Sequence, residues 1–136
     1  VQKESTSPEQ HTTATVTGIL AAMQAWESRP DKPYLKEGLT ISDVAGQIGA
    51  ANAQVSFVLN HSLGINFNTW INRLRISEAK RLIEAAPDAQ ISDIAFKSGF
   101  SDIAVFSRNF KKIEGLTATD YKRKQAAGHK NGDLTD

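Results

Sequence analysis

Residues 91–115 read ISDIAFKSGFSDIAVFSRNFKKIEG. Two short segments with apolar residues at helical spacing flank a turn that contains Gly99. Ser101 stands where the second helix is expected to be capped, and that helix carries Arg108 and two lysines. A short helix, a tight turn and a capped helix with cations are typical of the helix-turn-helix motif, which reads double-stranded DNA.

The same pattern occurs a second time, about fifty residues earlier in the chain. The run ISDVA at residues 41–45 matches ISDIA at residues 91–95, and Gly49 matches Gly99 at the same offset. Beyond the turn the offset grows by one, so the second turn has one residue more than the first. Two matching helical units predict a duplicated helix-turn-helix device far more strongly than either unit alone.

Proline, glycine and capping residues set the expected bounds of the helices. Asn66 is expected to cap a linker helix over residues 67–86, which Pro87 ends. At 1.5 Å per residue this linker helix spans roughly 30 Å. Thr117 is expected to cap a last short helix that runs to Lys124. The remaining helices are expected at residues 13–26, 41–48, 53–62, 91–97 and 102–113.

The fold class predicted from these elements is all-α, because no strand-like alternation of apolar and polar residues survives. We expect about seven helices, arranged as two helix-turn-helix subdomains joined by the long linker helix. The predicted organisation is a disordered lead at residues 1–10, an N-terminal helix and loop at 11–38, the first helix-turn-helix at 39–65, the linker helix at 66–88, the second helix-turn-helix with the final helix at 89–124, and a disordered tail at 125–136.

The composition argues against several classes of function. The 136 residues include no cysteine, which excludes a disulfide framework, thiolate metal ligands and a cysteine nucleophile. The three histidines lie far apart in sequence, so no metal site is expected. We find no catalytic triad, phosphate-binding loop or paired carboxylates, and therefore expect neither an enzyme nor a bound cofactor. No apolar run is long enough to predict a membrane segment in this chain.

Positive charge is concentrated in the middle of the chain. The formal net charge is +1, but residues 39–124 hold eleven basic and eight acidic groups, a net of +3. Residues 1–38 and residues 125–136 each have a net charge of −1. The helical motifs thus lie in the region with the positive balance. A field of this size favours DNA binding of moderate rather than high affinity.

The second motif also carries a resemblance to a known family. The run FSRNFKK at residues 106–112, Gly99-Phe100 before it and Gly115 after it all match the family pattern. The run WINRLRI at residues 70–76 looks like part of the family's connecting helix. On these residues the chain, from about Leu39 to Lys124, resembles the AraC/XylS family of bacterial transcription activators.

Three positions depart from the family pattern. Ala118 stands where the family usually has proline, and Lys122 stands where it has arginine. The larger departure is Phe57, which occupies the place in the first motif that Arg108 occupies in the second and where family members commonly have arginine. The two motifs are therefore expected to read DNA by different chemistry, with the second motif dominating specificity.

The resemblance implies a sequence-specific protein of the bacterial cytoplasm that binds double-stranded DNA at the nucleoid, on a promoter or operator and in contact with RNA polymerase. Two recognition helices joined by a helix of roughly 30 Å are expected to enter successive major grooves, about 34 Å apart. No sensor domain fits in this chain, so we expect the DNA-binding part of a larger ligand-responsive regulator, monomeric as a fragment. A small stand-alone family member is the alternative.

A second class of function stays open, a helical protein-interaction module with weak or no DNA binding. The small net charge and the phenylalanine at position 57 support it. Binding to random duplex DNA at low salt separates the two classes.

The residues predicted to face DNA follow from the two reader helices. Arg108 lies between Phe106 and Phe110, so it points away from the face that those two bury, and an arginine can donate two hydrogen bonds to guanine. A solvated helix face is the alternative for each cation, and burial against a neighbouring helix is the alternative for Phe57. The expected base contacts are Arg108, Ala104 and Val105 in the second motif and Asn52, Ala53, Ser56, Phe57 and Asn60 in the first. The expected phosphate contacts are Ser101, Arg73, Arg75, Lys97, Lys111, Lys112, Lys122 and Arg123.

Overall fold

The computed structural model describes residues 13–135, with side chains for residues 15–128. The disordered lead expected at residues 1–10 lies outside this range. The described residues form seven α-helices and no strand, which confirms the all-α prediction. None of these helices is both long and apolar enough to cross a membrane. The helices are α1 (Thr13–Glu27), α2 (Ile41–Ile48), α3 (Asn52–Val58), α4 (Phe67–Ala85), α5 (Ile91–Lys97), α6 (Ile103–Glu114) and α7 (Ala118–Thr135).

The chain forms two compact units, Val1–Ile71 and Asn72–Asp136, and the boundary lies within α4. The first unit contains the α2–α3 pair and the second contains the α5–α6 pair, as the sequence repeat predicts. Gly49 and Gly99 follow the first helix of each pair at φ 77° and 95°, in the left-handed region where a Cβ is disfavoured. Because α3 begins three residues after Gly49 and α6 begins four after Gly99, the extra residue in the second turn is confirmed.

A reciprocal cap begins α2. The Thr40 hydroxyl accepts a hydrogen bond from the Asp43 amide at 3.2 Å, and the Asp43 carboxylate accepts one from the Thr40 amide at 2.9 Å. The hydrogen bond from the Thr40 backbone amide, with help from the Thr40 side chain, lowers the pKa of Asp43 below its ordinary value. The sequence offers Thr40 and Ser42 as caps for this helix, and the structure uses Thr40, which fixes where the first motif starts.

Two tryptophans attach α1 to the first motif. Trp26 of α1 donates its indole N–H to Gln47 of α2 at 2.8 Å, and Trp70 of α4 donates to Glu27 of α1 at 2.6 Å. The two rings lie 5.3 Å apart between centroids, and Met23 of the same unit is buried. Since both buried N–H groups are satisfied, α1 is an integral part of the first unit rather than an extension of it.

The second helix of the first motif ends in a wider turn than the sequence predicts. Regular α3 stops at Val58, and Leu59–Leu63 continues as a π-helical turn instead of α-helix to Ser62. The wider geometry arises because the Gly64 amide donates to the Leu59 carbonyl, five residues back, while Gly64 adopts φ 68°. Such turns are rare and frequently lie at functional sites.

Aromatic rings in edge-to-face and tilted contacts form much of the core of the second unit. Phe106 lies 5.4 Å from Phe100 and 5.8 Å from Phe110 between ring centroids, and Phe110 lies 5.6 Å from Tyr121. Ile76 of α4 is fully buried in the same cluster, although it falls outside the apolar stripe that the sequence predicts for α4. That stripe consists of Phe67, Trp70, Ile71, Leu74, Ala79, Leu82 and Ile83. Phenylalanines at i and i+4 of α6 therefore hold α6 on its unit by one face.

Two predictions about the second unit are wrong. Ser101 does not cap α6; the Asp102 carboxylate does, by accepting the amides of Ala104 at 2.7 Å and Val105 at 3.1 Å. Both residue types cap well, but a carboxylate also opposes the positive end of the helix dipole. The tail expected to be disordered from residue 125 instead continues α7 to Thr135, and its good helix formers at 124–127 favour that continuation.

Candidate nucleic-acid interface

The outward face of α6 carries a row of cations. Phe106 and Phe110 are fully buried while Arg108 between them is exposed, so the direction predicted for Arg108 agrees with the structure. Lys111 and Lys112 are exposed one turn further on. Gly115 ends the helix at φ 84°, so this face stops within a few residues of the last lysine.

The N-terminal part of the same face is small and uncharged except for its cap. Ala104 is exposed, whereas Val105 is half-buried and packs partly against the core, which leaves less of its side chain for a base. The Asp102 carboxylate occupies the amides that a phosphate could otherwise use at this end of the helix. Ser101 is exposed just before it.

An open groove of about 610 Å³ runs beside the cations of α6. One side is formed by Ser107, Arg108, Lys111 and Lys112 of α6, and the other includes Thr117 and Thr119 at the beginning of α7. Its rim thus combines three positive side chains with hydroxyl groups. Both kinds of group bind phosphate oxygens in protein–DNA complexes.

A pair of asparagines orients α6, and the sequence did not single them out for this role. Asn109 donates to the carbonyl of Val105 at 2.9 Å and accepts from Asn72 of α4 at 3.2 Å. Asn109 directly follows Arg108, so this contact fixes the rotation of the helix at the arginine. A sequence signal could have identified Asn109: it is an amide side chain that directly follows a predicted base contact and lies on a different side of the helix.

The outward face of α3 has a different character. Ala53 and Asn60 are exposed, Ser56 and Phe57 are half-buried, and together with His61 they line an open depression of about 530 Å³. The ring of Phe57 stacks on that of His61, with centroids 4.9 Å apart and planes at 14°. Burial, the alternative to a base contact for Phe57, is thus only partial. His61 was not among the predicted contacts, although its i, i+4 spacing from Phe57 places both on one face.

Asn52, at the first position of α3, points towards the other helix of its motif. Its side-chain amide donates to the Ser42 hydroxyl of α2 at 2.7 Å, and both residues are exposed. This bond uses only the donor group of the Asn52 amide, so the amide oxygen takes no part in it. The hydrogen bond therefore positions Asn52 at the entrance of the α3 face.

The predicted phosphate contacts lie in different environments. Arg73, Lys97, Lys111 and Lys112 are exposed. The guanidinium of Arg75 lies 6.0 Å from the centroid of the Phe100 ring, Lys122 is half-buried, and Arg123 pairs with Asp120 at 2.8 Å. All the arginines and lysines of the two motifs and α4 belong to the second unit, since residues 39–71 contain neither.

These features define a helix-turn-helix protein, and comparison with known proteins gives its family. A family profile described as a helix-turn-helix domain, of the AraC type, matches residues 44–124. The chain is 34% identical over 98 residues to an uncharacterised helix-turn-helix regulator of Staphylococcus aureus, and 34% identical over 100 residues to YisR of Bacillus subtilis. These matches cover 72% and 73% of the chain but only 13% and 34% of the two relatives.

A solved structure agrees in fold. An AraC-type transcriptional regulator from Chromobacterium violaceum superimposes with a TM-score of 0.67 at 20% identity, over 85% of this chain and 97% of that one. The chain belongs to the AraC-type helix-turn-helix family of transcriptional regulators. The resemblance seen in the sequence is thereby confirmed, as is the prediction that the chain is not an enzyme.

Proposed function

We propose that this chain binds double-stranded promoter or operator DNA in a sequence-specific manner and so regulates transcription. The observation that carries the proposal is the split face of α6, where Phe106 and Phe110 are fully buried and Arg108 between them is exposed. A helix held to its unit by one face, with an arginine and two lysines on the other, has the chemistry that a major groove accepts. The alternative of a protein-interaction module is not favoured by the family assignment.

Arg108 is the main base reader in this proposal. Its guanidinium can donate two hydrogen bonds to O6 and N7 of a guanine, which is worth about 1–3 kcal/mol of discrimination. The exposed methyl group of Ala104, one turn earlier, allows α6 to approach the base edges closely. Val105 contributes the part of its side chain that the core leaves accessible.

The helix α3 is the second reader and uses neutral groups. Asn52 and Asn60 offer amides that pair with adenine, and Ser56 offers a hydroxyl that suits several bases. Ala53 and Phe57 supply apolar surface. This reader contributes little electrostatic attraction, because no lysine or arginine lies between residues 39 and 71.

Phosphate binding is assigned to the second unit. The open groove between α6 and the start of α7 has Lys111 and Lys112 among its lining residues. Ser101, Arg73, Arg75, Lys97, Lys122 and Arg123 complete the proposed set. Each phosphate neutralised releases counterions, so binding is expected to weaken steeply as salt rises.

The two readers are proposed to occupy successive major grooves on one face of the duplex. The relatives are several times longer than the segment that matches, which supports a role as the DNA-binding part of a larger, ligand-responsive regulator. We place its action in the cytoplasm, at the nucleoid, with RNA polymerase as the protein partner on DNA. The chain alone is proposed to be a monomer.

Selection of bound duplexes from a random pool tests this function. The expected result is enrichment of one sequence with two conserved segments about one helical turn apart, and a footprint on one face of the duplex. Fluorescence anisotropy on random duplex DNA at low salt completes the test. If no duplex is enriched and no binding occurs even at low salt, the interaction-module reading replaces this proposal.

A further inference from the structure

We propose that the ring pair of Phe57 and His61 reads the C5 methyl group of a pyrimidine in the major groove, and that His61 is a further specificity-determining residue. The methyl group belongs to thymine, or to 5-methylcytosine in modified DNA. This inference rests on the proposed function, because it requires α3 to enter a major groove.

The geometry of the ring pair is the first argument. The centroids of Phe57 and His61 lie 4.9 Å apart and the ring planes differ by 14°, so the two side chains form one flat, stacked unit. Stacking restricts the ring of Phe57, which reduces the entropy that it loses when a ligand packs on it. His61 lies in the π-helical turn Leu59–Leu63, and Phe57 lies just before it in α3.

The surroundings of the pair are the second argument. The depression of about 530 Å³ beside the rings is lined by Ala53 one turn before Phe57 and by Ser56 and Asn60. Residues 52–64 contain no lysine, arginine, aspartate or glutamate. A surface of this kind cannot recognise a base by charge, and its apolar part selects an apolar group.

The chemistry of the duplex narrows the choice of that group. In the major groove of unmodified DNA the C5 methyl of thymine is the apolar group on a base edge, and aromatic side chains are among those that contact it. Burying one methyl group is worth about a three- to fivefold change in affinity. The depression is open towards the outer face of α3, so it is continuous with the proposed DNA interface.

Uracil provides the direct test, because it differs from thymine only in lacking the methyl group. Each thymine in the half-site read by the first unit is replaced singly by uracil in the selected duplex. We expect one position at which the wild-type affinity falls about three- to fivefold. At that position a cytosine duplex and a 5-methylcytosine duplex are compared next, and the methylated form is expected to bind more tightly by a similar factor.

Variants assign the effect to the ring pair. Phe57→Ala is expected to bind thymine and uracil duplexes equally, His61→Ala to show a reduced difference, and His61→Phe to keep the difference because it preserves a stacked ring. Arg108→Ala is the matched control, since it should weaken binding yet leave the thymine-to-uracil ratio unchanged. Far-UV circular dichroism of each variant establishes that it is folded.

The comparison in the wild-type protein can overturn the inference without any variant. Equal binding of thymine and uracil duplexes at every position overturns the inference while the proposed function stands. A thymine preference that survives Phe57→Ala overturns it as well, because another residue then reads the methyl group. Failure to bind any duplex overturns the proposed function and this inference together.

Discussion

Lys80 of α4 and Glu114 at the end of α6 form an ion pair, with Nζ 3.0 Å from Oε1. The same Nζ lies 5.7 Å from the centroid of the Tyr121 ring of α7. One cation thus joins three helices of the second unit. Its positive charge is paired within the unit and stabilises it, whereas the lysines of α6 are exposed.

Replacing Lys80 by methionine should lower the free energy of unfolding by about 1 kcal/mol, because a partly buried ion pair and a cation–π contact are lost together. The slope of log affinity for DNA against log salt should not change, because the charge is already paired. Urea unfolding and anisotropy titrations at several salt concentrations measure the two quantities.

Lys111→Met is the matched comparison for Lys80. Lys111 is exposed on the outward face of α6, so its loss should leave the free energy of unfolding within about 0.5 kcal/mol of the wild-type value. The salt slope should fall by about one unit if this lysine binds a phosphate. Equal salt slopes for the two variants would mean that Lys111 makes no phosphate contact.

Asp102 is expected to affect stability and DNA binding in opposite directions. Asp102→Ala removes the cap from the amides of Ala104 and Val105 and should cost about 1 kcal/mol of stability. Asp102→Asn keeps an accepting oxygen but removes a negative charge next to the outward face of α6. It should therefore retain stability and raise DNA affinity severalfold at low salt. Thermal unfolding and anisotropy distinguish the two variants, and weaker binding by the asparagine variant would contradict this account.

The two readers should differ in their share of specificity. Arg108→Ala is expected to reduce the discrimination between the selected site and a site with one changed guanine by about 1–3 kcal/mol. Phe57→Ala should cost less, because it removes apolar contact only. Competition titrations with specific and mutated duplexes measure both, and a larger loss for Phe57→Ala would reverse the predicted ranking.

Tyr121 should make stability depend on alkaline pH. Partial burial, with help from its hydrogen bond to Glu84 and from nearby carboxylates, raises the pKa of Tyr121 from 10.0 to about 12. Because the folded pKa is raised, the stabilising contribution is complete below about pH 10 and is lost as pH rises towards 12. The difference in unfolding free energy between the wild type and Tyr121→Phe should therefore change over that window and stay constant below it.

Glu84→Gln checks the cause of that shift. It removes the charge that faces the phenol, so a spectroscopic titration of Tyr121 should show a lower pKa than in the wild type. An unchanged titration would assign the shift to burial and to the charge of Glu114.

Much of the fold could be predicted because a few residues dictate it locally. Gly49 and Gly115 end helices in a conformation that favours glycine, and the sequence predicts both ends to within one residue. Thr117 accepts the amide of Asp120 at 3.0 Å and Asn66 accepts that of Thr69 at 2.8 Å, so both expected caps are confirmed. Signals of this kind act within one helical turn and need no knowledge of the rest of the chain.

The errors arise where the deciding contact is not local. Ile76 was missed because α4 contributes to both units, with Trp70 buried in the first and Ile76 and Ile83 in the second, so one stripe cannot describe the helix. Ser101 and Asp102 are adjacent and both are good capping residues, so the backbone conformation of the turn determines which of them caps α6. Sequence spacing alone does not predict the capping residue.

For the candidate interface, sequence patterns predict which way a side chain points better than they predict which groups surround it. The exposure of Arg108 follows from the burial of its neighbours, two positions away on either side. The stacking of His61 on Phe57 could not be read from polarity, because a histidine can lie in a polar or an aromatic setting. The pairing of Arg123 with Asp120 is likewise a matter of rotamers rather than of sequence spacing alone.

The absence of lysine and arginine from residues 39–71 has a kinetic consequence. Attraction to phosphates governs how fast a protein encounters DNA and how it slides along it, and in the proposed complex this attraction comes from the second unit. The first unit is then expected to contribute after contact, through short-range fit to the bases. Changes in the second unit should therefore alter the association rate, whereas changes in the first should alter how long the protein dwells on its site.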